Sequence, residues 1–188
     1  MRIILATKSP RRHELIKGLE MEYRLTAYEI EEHFEPTLNP EVIAMFLAKK
    51  KADAFPEAIA NDEILLTADT LVWINNQVLN KPADEEEAYN MLKLICGKTH
   101  KVFTGICLRS NAMEKVFYEC SEVSCKQLTD EEIMHYVNSY QPFDKAGSYG
   151  IQDWFGYIAV EKINGCFYNV MGLPLSRIYD ELKVFKKN

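Results

Sequence analysis

The chain has 188 residues, 47% of them apolar and 27% charged, close to the roughly 45–50% and about 25% of ordinary globular domains, which excludes disordered, collagen-like and coiled-coil classes. Twenty-two lysines and arginines against 28 aspartates and glutamates leave a net charge of −6, so neither a nucleic acid polymer nor an anionic membrane is an expected partner, and any anionic ligand must be met by a local cluster of cations. At this length one core buries about 70% of the unfolded surface, so residues 1–188 are expected to form a single domain.

The chain opens with a short apolar strand, Ile3 to Ala6, that turns polar at Thr7 and Lys8. That is too early for a secretory signal, and no apolar run approaches the roughly 20 residues of a membrane helix. Ser9 and Pro10 read as the cap and first position of a helix carrying Leu15, Ile16 and Leu19 inward and ending near Gly18 to Glu20. Asn39-Pro40 opens a second helix by the same logic, with Ile43, Phe46, Leu47 and Ala54 on one face. Residues 64–74, ILLTADTLVWI, form a β-branched apolar run typical of a central strand, closed by an Asn75-Asn76 turn. Asp84-x-x-Glu87 starts a helix with Ala88, Met91, Leu92 and Ile95, stopped at Gly97. Two strands follow, 100–109 and 115–127, joined at Ser110-Asn111. Thr129-x-x-Glu132 then caps a helix bearing Ile133, Tyr136, Val137 and Tyr140. A glycine-containing loop, 141–153, leads to a strand near 156–162. Pro174 begins the last helix, with Leu175, Ile178, Tyr179, Leu182 and Phe185 inward and Lys183, Lys186 and Lys187 at its C-terminal end. Strands alternating with helices, plus a hairpin, predict an α/β fold with a mixed sheet flanked by helices. The five cysteines, at 96, 107, 120, 125 and 166, include no C-x-x-C; neither a disulfide framework nor a zinc ribbon is signalled, and a reducing cytoplasm is the expected setting.

Several residues carry chemistry. A helix N-terminus prefers acidic neighbours, yet the first helix starts with Arg11 and Arg12; two guanidiniums there suit a bound anion such as a polyphosphate, the alternative being that both face solvent. Asp69 sits among Leu65, Leu66, Ala68, Leu71, Val72 and Trp73. A carboxylate in such a layer costs several kcal/mol unless a cation compensates, which marks it as a ligand or base; the competing reading has it cap a turn with Thr70. Lys51 follows Leu47 by four residues and Ile43 by eight, so it points toward the apolar side of its helix and within reach of a phosphate, whereas Lys49 and Lys50 read as a solvated face. Pro82 stiffens the backbone beside Lys81, which places that lysine at a site rim. The segments 144–152 and 169–174 read as binding walls or as plain surface loops. No histidine pair has zinc-ligand spacing. Oxygen ligands remain: Glu31, Glu32 and Asp69, with phosphate oxygens, suit Mg²⁺ or Mn²⁺. P-loop, dinucleotide-binding and nucleophile-elbow motifs are absent from the sequence.

Together these segments resemble the Maf family of nucleoside triphosphate pyrophosphatases. The likeness is collinear over nearly the whole chain: LATKSPRR at 5–12, Glu31-Glu32, AKKKA at 48–52, TADT at 67–70, LNKP at 79–82, GKTHKVFTG at 97–105, DKAGSYGIQ at 144–152 and NVMGLP at 169–174. Thr7 departs from the common Ser, and Glu31 from the common Asp, which leaves Glu32 as the metal-site residue. The resemblance implies an elongated two-lobed fold of the Maf and inosine-triphosphatase type with a central cleft, a divalent cation, a homodimer, and hydrolysis of a nucleoside triphosphate to monophosphate and pyrophosphate. It implies Asp69 as proton acceptor and metal ligand, with Glu32 on the metal and Ser9, Arg12, Lys51 and Lys81 on the phosphates. Arg11, Thr70 and Gln152 match members that prefer dTTP and UTP, modified pyrimidine nucleotides included. The amide of Gln152 agrees physically, since it offers one donor and one acceptor to the O4 and N3–H edge of uracil or thymine. The rival reading is a regulator of cell division that binds the nucleotide with little turnover.

Overall fold

The computed structural model describes residues 1–35 and 37–186; Lys187, expected at the end of the last helix, lies outside the described residues. In chain order the elements are β1 (Arg2–Ala6), α1 (Pro10–Lys17), β2 (Tyr23–Thr26), α2 (Pro40–Asp53), β3 (Glu63–Ile74), β4 (Gln77–Leu79), α3 (Glu85–Ile95), β5 (Thr99–Arg109), β6 (Glu114–Cys125), α4 (Asp130–Tyr140), a 3₁₀ turn (Ala146–Ser148), α5 (Trp154–Ala159), β7 (Val160–Asn164), α6 (Phe167–Val170) and α7 (Leu175–Phe185). The seven strands form one mixed sheet in the order β2-β1-β3-β5-β6-β7, with β4 on β3, so the expected α/β class with flanking helices holds. No helix among the described residues is long and apolar enough to cross a membrane. The chain divides into two compact units: Met1–Thr70, Thr104–Glu119 and Gly172–Asn188 form the first, and Leu71–Phe103 with Cys120–Met171 the second.

In the first unit β1 lies between β2 and β3, parallel to both. A parallel strand with neighbours on either side is covered on both faces, which explains why Ile3, Ile4 and Leu5 are all fully buried. α2 approaches the sheet unusually closely. Its buried face carries Ala44, Ala48 and Ala52 at four-residue spacing, and a Cβ at Gly105 of β5 would stand 2.1 Å from the Ala44 carbonyl oxygen, so only glycine lets the strand and helix meet there. Thr67 Oγ1 of β3 then donates to the Ala48 carbonyl at 2.7 Å. The contact is thus made by small residues: Phe46, expected inward, is 46% exposed, and Ala54, also expected inward, is an exposed residue just past the helix end. Helical spacing places Phe46 about 160° round the helix from Ala48, off the buried arc that Ile43, Ala44, Leu47 and Ala48 share. Tyr179 of α7 is likewise exposed, while Ile178 and Leu182 form that helix's buried face with Glu181. β2 carries no apolar alternation and was missed from the sequence pattern.

In the second unit β3 folds back onto β4 through Asn75 and Asn76, both with positive φ (51° and 60°), the backbone that a two-residue hairpin turn requires. Asp84 accepts from the Glu87 amide at 2.9 Å at the head of α3, and Thr129 with Glu132 forms a complete reciprocal box at the head of α4. Leu92, Ile95, Val123, Ile133, Val137 and Phe155 anchor this unit's core; Tyr140 of α4, expected inward, is exposed. The strand expected near 156–162 is corrected. Residues 154–159 are the helix α5, and the strand starts only at Val160. Phe155 and Ala159, four apart and both buried, set a helical period, and Gly156 allows that turn to press on Ile151, whose carbonyl oxygen would be 1.8 Å from a Cβ.

Candidate active site

The first unit gathers five of the expected site residues around the middle of β3. Asp69 is buried, 8% exposed, inside an unbroken strand rather than at a turn. Its charge is met by Lys51, whose Nζ lies 2.6 Å from Asp69 Oδ1 and 2.7 Å from Glu32 Oε1. The close approach of α2 explains this reach: with the helix held by Ala48 and Thr67, a lysine three residues further along spans the gap to the strand. The Tyr28 hydroxyl donates to the Lys51 carbonyl and so holds the last turn of α2 from the other side. Asp69 Oδ2 accepts no hydrogen bond among the described residues.

Arg12 pins the strand beside Asp69. Its Nε donates to the Gly172 carbonyl at 2.7 Å, Nη1 to the Ala68 carbonyl at 2.9 Å and Nη2 to Thr70 Oγ1 at 2.9 Å. Three of its five N–H groups are thereby committed to the two residues that flank Asp69 and to the turn before α7. Burial pushes this guanidinium down to about 10; the negative charge of Asp69 opposes the shift, Arg11 adds to it and Glu32 opposes it, so Arg12 stays cationic at neutral pH. Gly172 has φ 102° and would bring a Cβ within 3.1 Å of Thr70 Oγ1; glycine is what lets its carbonyl meet Arg12. Thr70 Oγ1 also pairs with Thr104 Oγ1 at 3.0 Å, so its hydroxyl is occupied within the unit. Lys51 reaches the Ala68 carbonyl as well, at 3.5 Å. The backbone around Asp69 is therefore fixed from both α1 and α2.

At the head of α1, Ser9 is the cap residue with Pro10 following, as the sequence pattern predicts, but its hydroxyl makes no capping bond and no acidic residue stands in the first turn. The Ser9 amide donates instead to Thr7 Oγ1 at 3.1 Å. Arg11 is half-buried beside it. The positive end of the helix therefore carries no acidic side chain in its first turn, as a site for an anion requires. Glu31 is 84% exposed and 3.8 Å from His33, whereas Glu32 pairs with Lys51. Lys81 and Gln152 belong to the second unit. Lys81 is exposed and forms no hydrogen bond or ion pair among the described residues. Gln152 Nε2 donates to Asp153 Oδ1 at 3.0 Å, while its buried Oε1 has no partner among the described residues.

Among the described residues no group of three or more His, Cys, Asp or Glu could hold a metal ion. Glu32 and Asp69 are a pair, converging on one ammonium. Two carboxylates around a single cationic centre fit a hard ion that keeps most of its waters and shares its remaining positions with a phosphate ligand, rather than a caged structural ion. The sequence pattern did not single out Thr67, Tyr28 or Thr104. Their signal is weak because each acts through one hydroxyl whose partner is distant in sequence.

A family model described as Maf-like protein matches residues 2–185. The chain is 46% identical over 182 residues to a curated Bacteroides thetaiotaomicron protein named dTTP/UTP pyrophosphatase, covering 96% of this chain and 94% of that one. A Phocaeicola vulgatus protein of the same name is 47% identical over 183 residues, covering 97% and 95%. Among solved structures, the Staphylococcus aureus Ham1 protein is similar at 13% identity and a TM-score of 0.44, over 66% of this chain and 72% of that one, a likeness too distant to carry any argument. With a match over nearly its full length, the chain belongs to the family of Maf-like proteins.

Proposed function

We propose that the chain is a nucleoside triphosphate pyrophosphatase acting on dTTP and UTP, modified pyrimidine nucleotides included, and that it releases the monophosphate and pyrophosphate. The names of its curated relatives support the substrate class. The observation that carries the chemistry is Asp69: a carboxylate in mid-strand, one oxygen held by Lys51 at 2.6 Å and the other accepting no hydrogen bond among the described residues. A carboxylate beside a triphosphate is repelled by it unless it holds a cation or takes a proton, and a base that orients and deprotonates a water needs that charge.

In this reading Asp69 Oδ2 takes the proton of a water that attacks the α-phosphorus in line with the leaving pyrophosphate. Ser9 at the head of α1 binds phosphate oxygens, and Arg12 adds the two N–H groups that have no partner among the described residues. Lys51, within 2.7 Å of both carboxylates, and Lys81 neutralise charge that develops on the phosphoryl oxygens. A divalent cation, Mg²⁺ or Mn²⁺, would be held by Glu32 and Asp69 with the substrate and would supply Lewis-acid neutralisation of the same oxygens. Base selection rests on Gln152, with Arg11 and Thr70 as the other specificity positions. The proposal extends to a homodimer and to a reducing cytoplasmic setting, in keeping with free thiols at all five cysteines.

The test is product analysis in ¹⁸O-water. Purified protein with Mg²⁺ and dTTP should give thymidine monophosphate carrying the label, and unlabelled pyrophosphate. Label in the pyrophosphate, or release of orthophosphate and diphosphonucleoside, would overturn the assignment.

A further inference from the structure

In the second unit the amide of Gln152 has a fixed polarity. Its Nε2 faces Asp153 Oδ1 at 3.0 Å, and its Oε1 is buried with no partner among the described residues. A carboxylate only accepts hydrogen bonds, so Asp153 draws the NH₂ end toward itself and leaves the buried oxygen as the end that still lacks a donor among the described residues. Asp153 is itself held. Its Oδ2 accepts from the Tyr136 hydroxyl at 3.0 Å and has Lys145 Nζ at 3.8 Å. The Tyr136 oxygen accepts in turn from the Gly150 amide at 3.1 Å, and Tyr136 is fully buried. At Gly150 a Cβ would lie 2.3 Å from Asp153 Oδ2 and 2.8 Å from Gln152 Nε2, so a side chain at residue 150 would displace this pair.

We infer that Asp153, held by Tyr136, is a positioning residue that sets base selection by fixing which end of the Gln152 amide is presented to the base. This rests on the reading of Gln152 as the base-selecting residue. Uracil and thymine carry N–H at ring position 3, which an amide oxygen accepts. Cytosine carries a bare acceptor at the same position, and two opposed acceptors repel. The discrimination against cytosine nucleotides therefore belongs to residue 153 as much as to residue 152.

The experiment measures kcat/KM for pyrophosphate release from dTTP and dCTP in the parent, Asp153→Asn, Asp153→Ala and Gln152→Ala. Asparagine receives the Gln152 amide in either orientation and alanine in none, so both Asp153 variants free it to turn. The dTTP to dCTP ratio should fall roughly tenfold or more, with dCTP turnover rising in absolute terms. Structural damage alone lowers both substrates and raises neither. If Gln152→Ala compresses the ratio while both Asp153 variants keep it within about twofold of the parent, the positioning role is wrong and the reading of Gln152 stands. If Gln152→Ala leaves the ratio unchanged, Gln152 does not select the base and the inference falls with it.

Discussion

Replacing Lys51 by Met removes the ammonium that Asp69 and Glu32 share while keeping most of the side chain's volume. Breaking one partner out of a buried ion pair costs about 3–5 kcal/mol, because a charge is left without compensation. Here the side chains of Asp69 and Glu32 are 12% and 42% exposed, and water screens part of the loss, which reduces the expected cost to about 1–3 kcal/mol. For a chain of this size each kcal/mol moves the melting temperature by about 2–4 °C, so Lys51→Met should unfold roughly 2–12 °C below the parent in the presence of a chelator. A divalent cation can take the place of the ammonium between the carboxylates. Saturating Mg²⁺ should therefore return much of the loss, since a ligand at about a hundred times its dissociation constant adds about 2.7 kcal/mol, and it should raise the variant's melting temperature more than the parent's. Thermal unfolding followed by circular dichroism, with chelator and with Mg²⁺, measures both shifts. A variant that melts with the parent in chelator, or that gains no more from Mg²⁺ than the parent does, would refute the reasoning.

Two further outcomes follow from the packing. His100 is buried against the Tyr149 hydroxyl at 2.6 Å, and burial pushes its pKa down from 6.5 to about 4. The folded chain then binds fewer protons than the unfolded chain between these values, so the contribution of His100 is complete above pH 6.5 and is lost as pH falls toward 4, about 3 kcal/mol in all. His100→Gln keeps a hydrogen-bonding group without titrating, and its urea midpoint should fall less steeply than the parent's over that range; equal slopes would contradict the assignment. Gly105→Ala forces a methyl to within 2.1 Å of the Ala44 carbonyl and should cost about 1–3 kcal/mol in urea unfolding, with turnover falling as α2 and Lys51 move away from Asp69. Unchanged stability and turnover would show that the helix is not held by that contact.

Much of this site was legible in sequence because single positions broke local patterns. Asp69 interrupts a β-branched apolar run, and Lys51 falls on the apolar stripe of a helix; the structure sets the two 2.6 Å apart. Caps at Asp84 and Thr129 were legible because their signals span only three residues. Contacts set by tertiary packing were not. Phe46 follows Ile43 by three residues, yet the sheet meets α2 on the arc of Ala44 and Ala48, where Gly105 presses on the helix, and Phe46 is left on the far side. Arg12 looks like a phosphate ligand from its place at a helix start, and nothing nearby in sequence shows that Gly172, 160 residues away, takes one of its donors. α5 was read as a strand because its aromatic and β-branched composition favours one, and tertiary contacts at Phe155 and Ala159 outweigh that preference.

Asp69→Asn tests the proposed role of Asp69 as proton acceptor most directly. Asparagine is isosteric and still accepts from Lys51, so the fold and dTTP binding should persist. Pyrophosphate release from bound dTTP in a single turnover should fall about 10²–10⁴-fold. Release at the parent rate by a folded Asp69→Asn protein would contradict the account.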